Sequence, residues 1–253
     1  MEKYLIAIDL DGTLRHDDGH ISEYSINTIK KLKEKGHIVV TATARPHNHA
    51  LQVNNDVFKS DYLVCSSGSE VFDIKNDYMI NEEFIKYKDV MKLYKYAKKY
   101  DLNISFTIGK HEYITKKRRD DTQIQLTDIN VLKGNVKEVF VTDPNKLQVK
   151  KFINKVKHMN IVLQDFQTEE GFFIVLADNV NKGHGIKTLA NYLNVDKIIS
   201  FGNDENDIPM FEISHMGIAV SNATRDTLNK ANKIIESNNE DAVAKYLCKT
   251  FSL

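Results

Sequence analysis

Apolar residues gather in short blocks in the first quarter of the chain. YLIAI (4–8), HIVVT (37–41) and YLVC (62–65) are four or five residues long and rich in β-favouring side chains. Blocks this short, without polar alternation, predict strands covered on both faces, as in a parallel sheet. Between the first two, Ile26, Ile29 and Leu32 recur at helical spacing, with Ser22 placed to cap the helix and Gly36 to stop it. This βαβ rhythm predicts an open, doubly wound sheet. The next stretch, EVFDIKNDYMI (70–80), predicts a hairpin turning at Lys75-Asn76-Asp77.

From about 81 to 180 the order changes. The pattern predicts a helix near 84–100 and a hairpin, NISFTIGKHEYIT (103–115), turning at Gly109-Lys110. Strand KEVFV (137–141) then leads into a helix opened by Asp143 with Pro144 in its first turn, followed by strands IVLQ (161–164) and FFIVLA (172–177). After 180 the βα rhythm returns: a helix near 183–193, strand KIISF (197–201), a loop over 202–207 and strand GIAV (217–220). A further helix, a short strand KII (233–235) and a last helix from Glu240 finish the chain. The expected architecture is α/β: a doubly wound, Rossmann-like parallel-sheet core over 1–80 and 181–253, carrying an inserted α+β cap over 81–180.

Composition narrows the partners. Lys plus Arg and Asp plus Glu each total 35 in 253 residues, so the formal net charge is zero. That balance gives no long-range reason to expect nucleic acid or a membrane surface. Cys65 and Cys248 are too few and too far apart for a disulfide framework or zinc spacing. No stretch is long enough to span a bilayer, and Asp9 interrupts the first apolar run, so a soluble cytoplasmic protein with no obligate protein partner is expected.

Four loops at strand exits or helix entries are polar in complementary ways: Asp9-Leu10-Asp11-Gly12-Thr13, Thr43-Ala44-Arg45, Asn181-Lys182-Gly183 and Gly202-Asn203-Asp204-Glu205-Asn206-Asp207. Ligand sites of parallel sheets form at such strand ends. Carboxylates, a hydroxyl and an amine together describe a magnesium-dependent phosphate site, because hard cations take oxygen ligands and a phosphoryl group needs donors around its oxygens. Period two would put Asp9 and Asp11 on one side of the strand end, where a divalent cation offsets their repulsion. Gly12 lets the chain turn sharply there. A calcium loop is excluded, since glycine stands fourth rather than sixth and position twelve is His20.

In order and spacing the four loops resemble the haloacid dehalogenase superfamily, and within it the Cof-type phosphatases. The resemblance covers nearly the whole chain, the insert included. It implies hydrolysis of a small phosphorylated metabolite, a sugar phosphate or phosphorylated cofactor, through an aspartyl-phosphate with Mg2+ as cofactor. Asp9 is then the nucleophile and Asp11 the general acid and base. Thr43, Lys182 and Asn206 serve the phosphoryl group, and Arg45 is a candidate substrate contact. Magnesium is held by the Asp9 carboxylate, the Asp11 carbonyl and Asn203, with Asp207 supporting the metal shell or Lys182. Two positions depart from the family: Ala44 replaces a usual glycine, and Asn203 replaces a metal-binding aspartate, with Asp204 one place out of register as the alternative ligand.

Plainer readings apply elsewhere. KKRR (116–119) reads as a solvated run partly neutralised by Asp120 and Asp121, and Lys187 as a solvent-facing helix residue. His47 and His49 lie in an expected loop with no third ligand in view. Tyr94 and Tyr96 read as core and rim of the cap's first helix. A phosphomutase sharing the first half-reaction, a phospho-accepting signalling module and a non-catalytic phosphate-binding relative are the rival functions. The signalling module is disfavoured because YLVC exits into Ser66 and Ser67, not an aspartate.

Overall fold

The computed structural model describes residues 2–54, 59–109, 111–116, 123–165 and 172–253. Contacts divide the chain into two units, Met1–Asn81 with Asn181–Leu253, and Glu82–Val180.

In the first unit the expected buried strands form. β1 (Leu5–Ile8), β2 (Ile38–Ala42), β3 (Tyr62–Cys65), β4 (Glu70–Asp73) and β5 (Tyr78–Glu82) come from the N-terminal part. β12 (Ile198–Gly202), β13 (Met216–Val220) and β14 (Lys233–Ile235) come from the C-terminal part. The sheet order is β14-β13-β12-β1-β2-β3-β4-β5. The first six strands pair in parallel, and β4 turns back antiparallel to β3. Strands β2 and β3 extend the sheet to one side of β1, while β12 to β14 extend it to the other. The order therefore reverses at β1, the switch point where such sheets bind ligands.

Alternation along β1 splits the core in two. Ile6 and Ile8 pack with Ile29 and Leu32 of α1 (Glu23–Glu34) and with Val243 and Leu247 of α8 (Ala242–Phe251). Leu5 and Ala7 face the other layer, with Ile186 and Leu189 of α5 (Lys182–Leu193) and Met210 of α6 (Ile208–Ile213). Ser22 caps α1 as expected, accepting the Ser25 N–H at 3.0 Å, and Gly36 follows the helix at φ 85°. The first unit also holds α2 (His47–Val53) and α7 (Arg225–Lys230).

The second unit is α+β. Its sheet runs β10-β11-β9-β6-β7-β8, from β6 (Ile104–Ile108), β7 (His111–Ile114), β8 (Gln123–Gln125), β9 (Val136–Thr142), β10 (Ile161–Asp165) and β11 (Phe172–Ala177). Val90, Leu93 and Ala97 of α3 (Tyr87–Lys99) and Val149, Phe152 and Val156 of α4 (Lys146–Val156) are the buried stripes of its helices. Tyr94 and Tyr96 are half-buried, Tyr94 with its ring 6.4 Å from that of Phe106.

Local expectations fail at four places. His47 and His49 are helical, because Pro46 starts α2 instead of breaking the chain. Helix α6 falls between the expected loop over 202–207 and the expected strand over 217–220, where no element was expected, and Pro209 in its first turn was the available signal. Asp143 does not open α4: its carboxylate takes the Asn103 and Asn145 N–H groups, and Asn145 caps the helix. The last helix starts at Ala242, since Asp241 adopts φ 54° after a 3-10 turn at Asn238–Glu240.

Candidate active site

Beyond Ile8 the chain leaves the sheet at once. Asp9 N–H still donates to Phe201 O at 3.1 Å, but the Leu10 carbonyl then collects the N–H groups of Thr13, Leu14 and Arg15 at 3.2, 3.1 and 2.9 Å. The expected placement of Asp9 and Asp11 on one side by strand periodicity does not apply to this turn. Gly12 carries it at φ 78°, and a Cβ there would lie 2.5 Å from Asn203 Nδ2. The two carboxylates find separate partners.

Asp9 points into the protein. It is 5% exposed, and Lys182 Nζ donates to its Oδ1 at 2.7 Å and to Asp207 Oδ1 at 2.6 Å. Lys182 heads α5, where a helix dipole disfavours a cation; the two carboxylates offset that conflict. The helix can approach this closely because residue 183 is glycine: a Cβ would stand 2.2 Å from Pro209 O. The other Asp207 oxygen accepts the Asn203 and Asp204 N–H groups at 2.9 and 3.1 Å. Asp207 thus holds Lys182 with one oxygen and braces the loop with the other. Asp204 accepts the Glu205 N–H at 2.8 Å as the cap of the 3-10 turn Glu205–Asp207.

One ammonium between two buried carboxylates leaves a negative charge over. Burial, and next Asp207, outweigh Lys182 and push the Asp9 carboxyl up to about 7. Burial opposes the Lys182 charge, but Asp207 and Asp9 outweigh it and hold the ammonium above its ordinary range. A carboxyl whose folded pKa is raised contributes stability that is full below its ordinary value of 3.8 and lost as pH rises through about 7. Metal-free protein should therefore lose thermal stability between about pH 4 and 7 relative to Asp9→Asn, measured by melting in a chelator. Burial lowers the His37 pKa, with an effect of opposite sign, but His37 is common to both proteins. Parallel curves for the two would overturn the expectation.

Asp11 is exposed and faces outward. Arg45 donates to it from Nε at 2.7 Å and Nη2 at 2.8 Å, and Arg15 from Nη1 at 2.6 Å. Burial alone would raise its pKa, but the hydrogen bonds from Arg45 and then Arg15 hold the carboxyl below the ordinary range. Arg45, expected to meet substrate, is thus engaged by Asp11. Arg15 was missed in the sequence; its signal was the four-residue spacing from Asp11. Both arginines line a cleft of about 560 Å³ with His20 and His49.

Thr43 follows β2, next to β1 in the sheet. Its Oγ1 accepts the Arg45 N–H at 3.1 Å, which leaves the hydroxyl proton to donate elsewhere. Asn206 Oδ1 is buried and has no hydrogen-bond partner among the described residues.

The Asn203 amide tests whether a cation fits. One amide terminus lies 3.1 Å from the Asp11 carbonyl oxygen, 3.2 Å from Asp9 Oδ2 and 2.9 Å from Thr13 Oγ1. Neighbouring ligands of an octahedral magnesium ion, bonded at about 2.1 Å, lie about 3.0 Å apart. With the amide oxygen on that side, Asp9, Asp11 and Asn203 fit a small hard cation.

Among the other candidates, His47 does have neighbours. Its Nδ1 is 3.9 Å from Cys65 Sγ, which is 3.7 Å from Glu70 Oε2, while Ser66 Oγ donates to that oxygen at 2.8 Å. These contacts tie the start of α2 to the end of β3, and His49 takes no part in them. Lys187 is exposed, and Lys117 to Asp121, with Lys110, lie outside the described residues.

A family model described as haloacid dehalogenase-like hydrolase matches residues 6–247. The chain belongs to that family. A 5-amino-6-(5-phospho-D-ribitylamino)uracil phosphatase of Bacillus subtilis is 27% identical over 99% of this chain and 98% of its own length. A putative phosphatase of Buchnera aphidicola (Schizaphis graminum) is 29% identical over 98% of this chain and 95% of its own. Among solved structures, a protein from Thermotoga maritima superposes with TM-score 0.85 at 24% identity, covering 98% of this chain and 97% of that one. A haloacid dehalogenase-like hydrolase from Bacteroides thetaiotaomicron superposes with TM-score 0.83 at 22% identity, covering 99% and 100%. As a haloacid dehalogenase-like hydrolase with relatives named as phosphatases, the chain falls in the expected class of phosphoric monoester hydrolases. Among the described residues no helix is long and apolar enough to cross a membrane.

Proposed function

We propose that this hydrolase removes phosphate from small phosphomonoesters through an aspartyl-phosphate on Asp9. The observation that carries the reading is the Asp9 carboxylate itself, buried at the switch point with Oδ1 fixed by Lys182. A carboxylate oxygen of Asp9 bonds to phosphorus as the ester P–O bond breaks, and Asp11 delivers a proton to the departing oxygen. Water then attacks the acyl phosphate with Asp11 accepting its proton, which regenerates Asp9 and releases phosphate. Lys182 uses two of its three donors on Asp9 and Asp207, leaving the third for a phosphoryl oxygen beside the Thr43 hydroxyl. Magnesium, held by Asp9, the Asp11 carbonyl and Asn203, would supply positive charge against the phosphoryl oxygens.

Substrate choice falls to the unit over Glu82–Val180 in this reading. The name of the Bacillus relative, whose substrate is a phosphorylated ribitylamino-uracil, supports a small phosphorylated metabolite as the class. A panel of phosphorylated metabolites, assayed with magnesium and with chelator, tests the proposal. Metal-dependent phosphate release from some members is expected, and no release from any member overturns it. Substitutions at His111 and Tyr113 should reorder the panel and leave small aryl phosphates nearly unchanged.

A further inference from the structure

We propose that Asn203 is a two-position amide whose nitrogen takes the place of the cation when none is bound. This rests on the metal-assisted reading above. An amide oxygen there accepts the Thr13 hydroxyl at 2.9 Å but also faces the Asp11 carbonyl and Asp9 Oδ2 at 3.1 and 3.2 Å, two acceptors whose repulsion a cation among the three oxygens would offset. The nitrogen in the same place carries its own protons to them. Rotation about the bond to the amide carbon exchanges the two ends without moving the residue. The residue is otherwise held: its N–H donates to Asp207 Oδ2 at 2.9 Å, and its carbonyl accepts the Thr224 N–H at 2.9 Å. Gly12, with no side chain, admits the amide against the turn.

The charge count explains why this device suits the site. Lys182 already leaves Asp9 and Asp207 with one negative charge over, and an aspartate at 203 would add a second beside Asp9. The amide adds none. Without metal it bridges the turn after β1 to the loop after β12; with metal it presents oxygen. The chain thus stays ordered without a cation and binds one more weakly, because the bridging hydrogen bonds are given up on binding.

Melting of wild type, Asn203→Asp and Asn203→Ala in chelator and across a magnesium titration tests this. In chelator Asn203→Asp should melt below wild type by on the order of 5 °C, with Asn203→Ala in between. Magnesium should raise Asn203→Asp more than wild type, with half-saturation about tenfold lower. In wild type, the Asn203 side-chain 15N amide resonances should be protected from solvent exchange in chelator and shift when magnesium is added. Equal melting of wild type and Asn203→Asp in chelator, or an unprotected wild-type amide there, overturns the two-position amide even if the enzyme proves to be a magnesium-dependent phosphatase. Failure of the phosphatase reading shows differently, as absent phosphate release while the chelator melting order persists.

Discussion

Asp9→Asn should abolish turnover and leave a folded protein that, without metal, melts at or above wild type. An amide oxygen is too poor a nucleophile to form an acyl phosphate, so the first bond to phosphorus is lost altogether. Stability moves the other way because Asn preserves the shape. It also removes the excess negative charge around Lys182, which keeps its ion pair with Asp207 at 2.6 Å. Removing a member of a buried ion cluster costs about 3–5 kcal/mol when it strands a charge; here no charge is stranded. Phosphate release and thermal melting on the same preparation check both halves. Near-native turnover would remove the aspartyl-phosphate mechanism, and a large fall in melting temperature would contradict the charge count around Lys182.

The fold class was legible because the buried strands write themselves as short apolar blocks and their exits as polar loops. Residues 4–8, 37–41 and 62–65 fall on β1, β2 and β3 within a residue or so. Loops that end neighbouring parallel strands must meet at one edge, so Asp9, Thr43 and Asn203 could be grouped before any contact was known. The parallel pairing of Ile8 with Thr41 and Phe201 then fixes their common edge.

Side-chain direction was not legible in the same way. Strand periodicity fails for Asp11 because the turn after Ile8 belongs to no strand, and no local pattern tells that the carboxylate meets Arg45, 34 positions away. Lys182 was singled out through the resemblance, with Asp207 as a support, but a lysine at a helix start reads by itself as solvated, and no local pattern shows it closing on Asp9 as well. Helix α2 was lost to one ambiguous signal, since proline both ends helices and starts them. Strand β8 has three residues, Gln123–Gln125, too few to show any period; it forms by pairing with β7.

Asp11→Asn should slow turnover by about a hundredfold to ten-thousandfold for alkyl phosphates and much less for aryl phosphates, whose leaving oxygen needs no proton. The arginine clamp adds a pH signature to that role. Three hydrogen bonds from Arg15 and Arg45 favour the ionised carboxyl, so Asp11 must give up at least one of them to carry the proton it delivers to the leaving oxygen and recovers from water. Arg45→Ala removes two of the three bonds and spares Arg15. The Asp11 pKa should then climb toward its ordinary value, and the limbs of the pH–rate profile set by this group should move to higher pH, with the largest change for alkyl phosphates. Measuring both variants against paired alkyl and aryl substrates separates the roles. A loss in Asp11→Asn that is equal for both leaving groups would assign Asp11 to holding the loop through its arginines, and an unmoved profile in Arg45→Ala would show that the clamp does not govern the proton.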